Sequence, residues 1–128
     1  MIKAYDGVMP VETITASLSL VAADSGKVFF IATDGLTITL PATVEGLDFT
    51  FVNTGADGAN IIRLSPNASD GIFGTLTLAA TVVQMAGTAD TDLLLTKGTS
   101  LKGDSCQLVG DGVDGYAIVA STGIWASA

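Results

Sequence analysis

Apolar and polar residues alternate with a period of two along most of the chain. From Thr13 to Leu20, one side carries Ile14, Ala16, Leu18 and Leu20, and the other carries only Thr and Ser. From Leu36 to Leu40 the alternation is unbroken, and Pro41 ends the segment because proline lacks the amide hydrogen that a strand ladder needs. A period of two is typical of β-strands, whose successive side chains point to opposite faces.

Turn-forming residues divide these segments at short intervals. Examples are Gly55 to Gly58 and the longer run from Ser65 to Gly71. About nine or ten short strands with regular turns favour a sandwich or barrel. We therefore predict an all-β fold, an antiparallel, jelly-roll-like β-sandwich or barrel, as one domain over residues 13–128. The segment from Ala79 to Gln84 leaves a short helix open as an alternative to strand.

Two predicted strands are apolar on both faces, Val28 to Ala32 and Leu93 to Leu95. In an antiparallel sheet one face normally meets water, so such a strand must be covered on both sides. On one interpretation, the strand is central in the sheet or lies under a local lid formed by the same chain. On the second interpretation, a neighbouring subunit covers it. On the second interpretation Phe29 and Ile31 are candidate interface residues.

Residues 1–12 fit neither period and are predicted to form an extended N-terminal arm. Ile2, Tyr5, Val8 and Met9 are apolar anchors along this segment. They belong either to a frayed terminus or to an arm that lies on a neighbour, since Met and Tyr are frequent at interfaces. Trp125 joins the candidate interface set, with the core and an exposed platform for sugars as its alternatives.

The composition suggests that part of the surface is covered. Charged residues make up 14% of the chain and apolar residues 48%, with a mean hydropathy of +0.57, whereas about 25% charged residues is usual. The net charge of −8 and the scattered basic residues disfavour nucleic acid and anionic membranes as partners. The N-terminus lacks the apolar stretch of a signal peptide, so we expect a protein that is made and used without secretion.

The residues needed for catalysis are scarce. The chain has no histidine and a single cysteine, Cys106, so the usual hydrolytic triads and Cys-based zinc sites are excluded. Gly98 to Gly103 has P-loop spacing but lacks the following Lys-Ser/Thr. The loops Asp57 to Asn60 and Asp111 to Gly115 are either turns or calcium loops with incomplete spacing. We predict no enzyme activity, no catalytic or metal-binding residues and no cofactor.

Several segments, taken in order, resemble a β module of tailed-phage virion proteins. The module occurs in head decoration (cement) proteins, head fibres and tail-fibre segments. The segments that carry the resemblance are Leu20 to Phe29, Leu36 to Pro41, Gly46 to Val52, Ile62 to Pro66, Asp70 to Ile72, Lys102 to Gly112 and Tyr116 to Trp125. The family often has an aromatic pair before the last strand, where this chain has Gly115 and Tyr116.

The resemblance implies a homotrimer on the capsid exterior of a virion, made in the host cytoplasm. Its partners would be itself and the major capsid protein, with no nucleic acid, membrane or small-molecule substrate. It would cement neighbouring capsomers and stabilise the expanded shell. The alternative is a trimeric tail-associated or fibre-associated module, or one that binds carbohydrate at a cell surface.

Overall fold

The computed structural model describes residues 8–77 and 81–128, and these residues form an all-β structure, as predicted. They contain one 3-10 turn, Ala22–Asp24, and no α-helix. The strands are β1 (Val11–Ile14), β2 (Leu18–Ser19), β3 (Val28–Ile31), β4 (Leu36–Thr39), β5 (Asp48–Asn53), β6 (Ile62–Ser65), β7 (Gly71–Thr77), β8 (Val82–Ala86), β9 (Leu93–Leu95), β10 (Ser105–Gly110), β11 (Gly115–Thr122) and β12 (Trp125–Ser127).

The strands form two mixed sheets. Sheet A has the order β1-β3-β5-β10-β11-β7-β8, and sheet B has the order β12-β9-β6-β4-β2. Half of the pairs are parallel, namely β1–β3, β3–β5, β2–β4, β4–β6 and β7–β11. The prediction of a purely antiparallel arrangement is therefore wrong. Between the described strands no pairing closes either sheet into a barrel.

Four of the five parallel pairs follow from the path of the first six strands, which alternate between the sheets. β1, β3 and β5 are neighbours in sheet A, and β2, β4 and β6 lie together in sheet B. A chain that crosses to the other sheet and returns enters the first sheet again at the same end. It therefore pairs parallel to its predecessor, because parallel pairing requires such a crossover.

The inner faces of both sheets contribute to one hydrophobic core. Sheet A supplies the aromatic residues Phe29, Phe49, Phe51 and Tyr116, and sheet B supplies mainly Leu and Ile together with Trp125. The rings of Phe29 and Phe51 stack with centroids 5.5 Å apart. The Tyr116 hydroxyl donates a hydrogen bond to the Pro41 carbonyl at 2.8 Å, which gives this buried polar group a partner.

Two local predictions have a different outcome in the structure. β1 begins at Val11, and the Pro10 carbonyl accepts a hydrogen bond from the Val28 amide at 3.0 Å. The end of the predicted arm is therefore part of sheet A. Val82 to Gln84 lie in strand β8, so the helical alternative is wrong for these residues, while Ala79 and Ala80 lie outside the described residues. The described part of the chain forms no helix that is long and apolar enough to cross a membrane.

Candidate interaction surface

The side of sheet A that faces away from the core is a broad surface that we call outer face A. Strand register places its side chains next to one another in rows across the sheet. The rows are Val11, Val28, Thr50, Gln107 and Ala120; Thr13, Phe30, Val52, Ser105 and Thr122; and Asp48, Val109, Ala117, Phe73 and Ala86.

Outer face A is nearly free of charge, and nine of the fifteen side chains in these rows are apolar. Its central side chains, such as Phe30, Val52 and Val109, are half-buried, whereas the residues that alternate with them are buried in the core. Asp48 is the one charged residue in the three rows. Its carboxylate accepts a hydrogen bond from the Gln107 side-chain amide at 2.9 Å, so a neighbour on the same face already satisfies part of its hydrogen-bonding capacity.

A β-bulge adds a further apolar side chain at the margin of this face. The register between β10 and β11 shifts at Gln107 and Leu108, which lie opposite Ala120 and Ile118. Val119 is the extra residue and is 53% exposed. Bulges redirect side chains at the places where they occur, and this one leaves a valine in solvent.

The outward side of sheet B, outer face B, has a different character. One of its rows joins Ala126, Leu94, Arg63 and Thr37, and the other joins Ser65, Thr39 and Ser19. The Arg63 guanidinium lies 2.7 Å from the Asp92 carboxylate. Small hydroxyl side chains and an ion pair make this face resemble an ordinary solvated surface.

The predicted interface residues fall into three groups. Val8 and Met9 are 74% and 55% exposed and lie just before Pro10 and β1, the edge strand of sheet A. Ile2 and Tyr5 lie outside the described residues. Phe29, Ile31 and Trp125 are fully buried within the chain's own core.

The burial of this last group removes it from the surface. Phe29 and Ile31 point to the inner side of β3, which lies between β1 and β5. The Trp125 indole donates a hydrogen bond to the Thr122 carbonyl at 3.0 Å. These side chains leave no area for a partner, and Trp125 cannot act as an exposed platform for sugars.

Sequence reasoning missed the residues that the structure places on outer face A. Phe30 alternates with Phe29 and Ile31, so the two-sided apolar pattern of this segment contained the signal. Val52 and Val109 alternate with core residues in the same way. Valine on the outward side of a strand is common, and only the register across β3, β5 and β10 shows that Val52 lies beside Phe30 and that Val109 lies on the same face two rows away.

The acidic loops considered as calcium sites are held by backbone hydrogen bonds. The Asp111 carboxylate accepts hydrogen bonds from the amides of Gly115, Val113 and Asp114 at 2.8–3.0 Å. The bond from Gly115, followed by that from Val113, lowers the pKa of Asp111. Asp57 accepts a hydrogen bond from the Lys102 amide at 2.9 Å. In residues 8–77 and 81–128, His, Cys, Asp and Glu side chains form no cluster suited to a metal ion.

Cys106 lies on the inner side of β10. Burial raises the pKa of its thiol to about 12. The reactive form of cysteine is the thiolate, so this side chain acts as a small apolar residue of the core.

No protein-family model matches the chain, and no curated protein matches it.

Proposed function

We propose that the protein is a structural virion protein that binds the exterior of a phage capsid as a homotrimer and cements neighbouring capsomers. The observation that carries the proposal is outer face A, a nearly uncharged sheet surface on a chain with a net charge of −8. The likeness to virion β modules supplies the capsid as the partner. A jelly-roll-like sandwich is the finer architecture that goes with this likeness.

The chemistry of outer face A suits contact with protein. Interface cores are depleted in charged residues and enriched in aromatic ones, and this face presents Phe30 among Val, Ala and Thr. Two copies of an acidic chain repel each other wherever their carboxylates meet. In a contact between two outer faces A, Asp48 is the only carboxylate that each copy contributes from the three rows, so this repulsion is small. The sheet also holds the contact residues in place before binding, which limits the conformational entropy lost on binding.

The mechanism is linkage without chemistry. A ligand that binds only the expanded shell stabilises that shell by mass action. Three subunits that each make a modest contact give an avidity well above that of one contact. The exposed Val8 and Met9 lie at the β1 end of sheet A, where they are placed to add contacts at the margin of the assembly.

Binding to capsids tests the proposal directly. Purified protein is mixed with expanded capsids assembled from the cognate major capsid protein and sedimented. We expect saturable co-sedimentation and a higher temperature of shell disruption. Phe30→Lys on outer face A is expected to abolish both effects, and Thr37→Lys on outer face B serves as the matched control.

Two results would overturn the proposal. One is wild-type protein that neither sediments with the shell nor stabilises it. The other is full binding by Phe30→Lys, which would move the contact away from outer face A.

A further inference from the structure

An open cleft of about 470 Å³ lies at the far end of outer face A. It sits where the β7–β8 pair meets the loops that precede β7 and β11. Its volume is within the range of ligand sites, about 300–1,000 Å³. The residues that line it are Ser69, Phe73, Ala86, Gly87, Val113 and Asp114.

Phe73 stands in this cleft among small residues. Its cross-strand neighbours are Ala117 on β11 and Ala86 on β8, and Gly71 and Thr75 flank it along β7 on the same face. A Cβ added to Gly87 would lie 3.3 Å from the Phe73 Cβ, so glycine at this position keeps the space beside the ring open. No large side chain in these positions covers the ring, and Phe73 forms an aromatic platform.

The backbone at the walls of the cleft is held by hydrogen bonds. The Gly71 amide donates to the Asp114 carbonyl at 2.8 Å, and the Asp114 amide donates to the Asp111 carboxylate at 2.9 Å. The Ser69 amide donates to the Asn67 side chain at 3.4 Å. Within the described part of the chain, the Asp114 carboxylate and the Ser69 hydroxyl have no hydrogen-bond partner of their own. They are therefore available to a ligand.

Charge restricts the class of ligand. The lining contains a carboxylate and no Lys or Arg, and the whole chain is acidic, so phosphates and other anions are repelled. A platform of one aromatic ring favours a ligand with a flat apolar patch, and the wall groups favour hydroxyl donors. A pyranose ring has both, since one of its faces is made of C–H groups that suit the negative face of an aromatic ring.

We propose that this cleft binds a single neutral pyranose residue, which stacks on Phe73 and donates hydroxyl hydrogen bonds to Asp114. Val113, which is 80% exposed at the rim, contacts the outer edge of the sugar. The proposal rests neither on capsid binding nor on subunit contact through Phe30, because the cleft lies at the β7–β8 end of sheet A, four strands from β3.

Titration of the isotope-labelled protein, followed by amide NMR, tests the proposal. The probes are the methyl glycosides of glucose, galactose, mannose and N-acetylglucosamine, each at millimolar concentrations. We expect at least one probe to shift the amides of Ser69, Gly87, Val113 and Asp114 in a saturable manner. In Phe73→Leu the affinity should fall about tenfold or more, because the ring is lost while a similar apolar volume remains.

Thr37→Lys is the control. Thr37 lies on β4 in sheet B, on the other side of the core from the cleft, so this variant should bind the probe like the wild type. Asp114→Asn keeps the backbone contacts of the loop and is also expected to bind the probe more weakly than the wild type.

Three outcomes would overturn the proposal. The first is the absence of cleft shifts with all four glycosides. The second is unchanged affinity in Phe73→Leu when the rest of its spectrum shows an intact fold. The third is tighter binding of acetyl-lysine amide or of a nucleoside than of any sugar, which would assign the cleft to another class of ligand.

Discussion

The two outer faces of this protein enclose one core and differ in what they offer to a partner. Nine of the fifteen side chains in the rows of outer face A are apolar and one is charged, whereas the rows of outer face B hold mainly Thr and Ser around the Arg63–Asp92 ion pair. Both faces belong to strands with the same inner pattern of buried apolar residues. Burial within the chain therefore does not explain the difference.

The difference shows where the low charge of the chain is concentrated. Stability requires apolar residues on the inner faces only, and a sheet face in water normally carries polar residues. Outer face B follows this rule and outer face A departs from it. A departure over adjacent rows of a sheet points to a surface that is covered when the protein functions.

The largest expected effect separates the core from both outer faces. Trp125→Ala removes a fully buried side chain and its hydrogen bond to Thr122, and should lower the free energy of unfolding by about 3–5 kcal/mol. Phe30→Ala, on a half-buried position of outer face A, should cost the isolated subunit about 1 kcal/mol. Urea unfolding measures both, and equal losses would contradict the assignment of Trp125 to the core and Phe30 to the surface.

A second prediction concerns the loop from Asp111 to Gly115 and the way in which it makes the free energy of unfolding depend on pH. Because hydrogen bonds from Gly115 and its neighbours lower the pKa of Asp111 in the folded state, the folded protein favours the ionised carboxylate. This contribution is fully present above the unfolded pKa of aspartate, about 3.9, and is lost as the pH falls through the lowered value.

Asp111→Asn should therefore lose less stability than the wild type between neutral pH and pH values below about 4. Unfolding by urea at both pH values measures the difference. Asp24 and Asp34, whose pKa values are also lowered, titrate in both proteins and so cancel in this comparison. A parallel loss in the two proteins would show that the loop does not depend on this charge.

The smallest effect is expected on outer face B. The side chains of Arg63 and Asp92 are 38% and 17% exposed, and ion pairs at such positions contribute about 0.2–1 kcal/mol. Arg63→Ala should cost no more than this, and the cost should shrink with added salt because exposed charges are screened. A loss of several kcal/mol would mean that outer face B is also a structural contact.

Much of the strand pattern could be predicted from the sequence, whereas the pairing could not. The segment from Leu36 to Leu40 became β4, and Cys106 to Asp111 largely became β10, because alternation with a period of two depends only on which side is buried. The same alternation occurs in parallel and antiparallel strands. The two-sided apolar segment at Val28 was the available signal for β3, since parallel strands are often covered on both faces.

The candidate interaction surface was less predictable than the strands. Phe29 and Ile31 belong to the right strand but to its inner side, because the sequence does not show which of two apolar sides faces the core. Outer face A depends on register between strands that are distant in the chain, such as Thr50 opposite Gln107. Phe73 becomes an open platform only because Ala117 and Ala86 lie beside it.

The solution mass of the protein tests most directly whether outer face A joins the subunits. Light scattering on a sizing column, at several concentrations, is applied to the wild type, to Phe30→Lys and to the matched variant Thr37→Lys. We expect a mass of three chains for the wild type and for Thr37→Lys, and of one chain for Phe30→Lys. A monomeric wild type, or a Phe30→Lys variant that keeps the mass of three chains, would contradict this expectation.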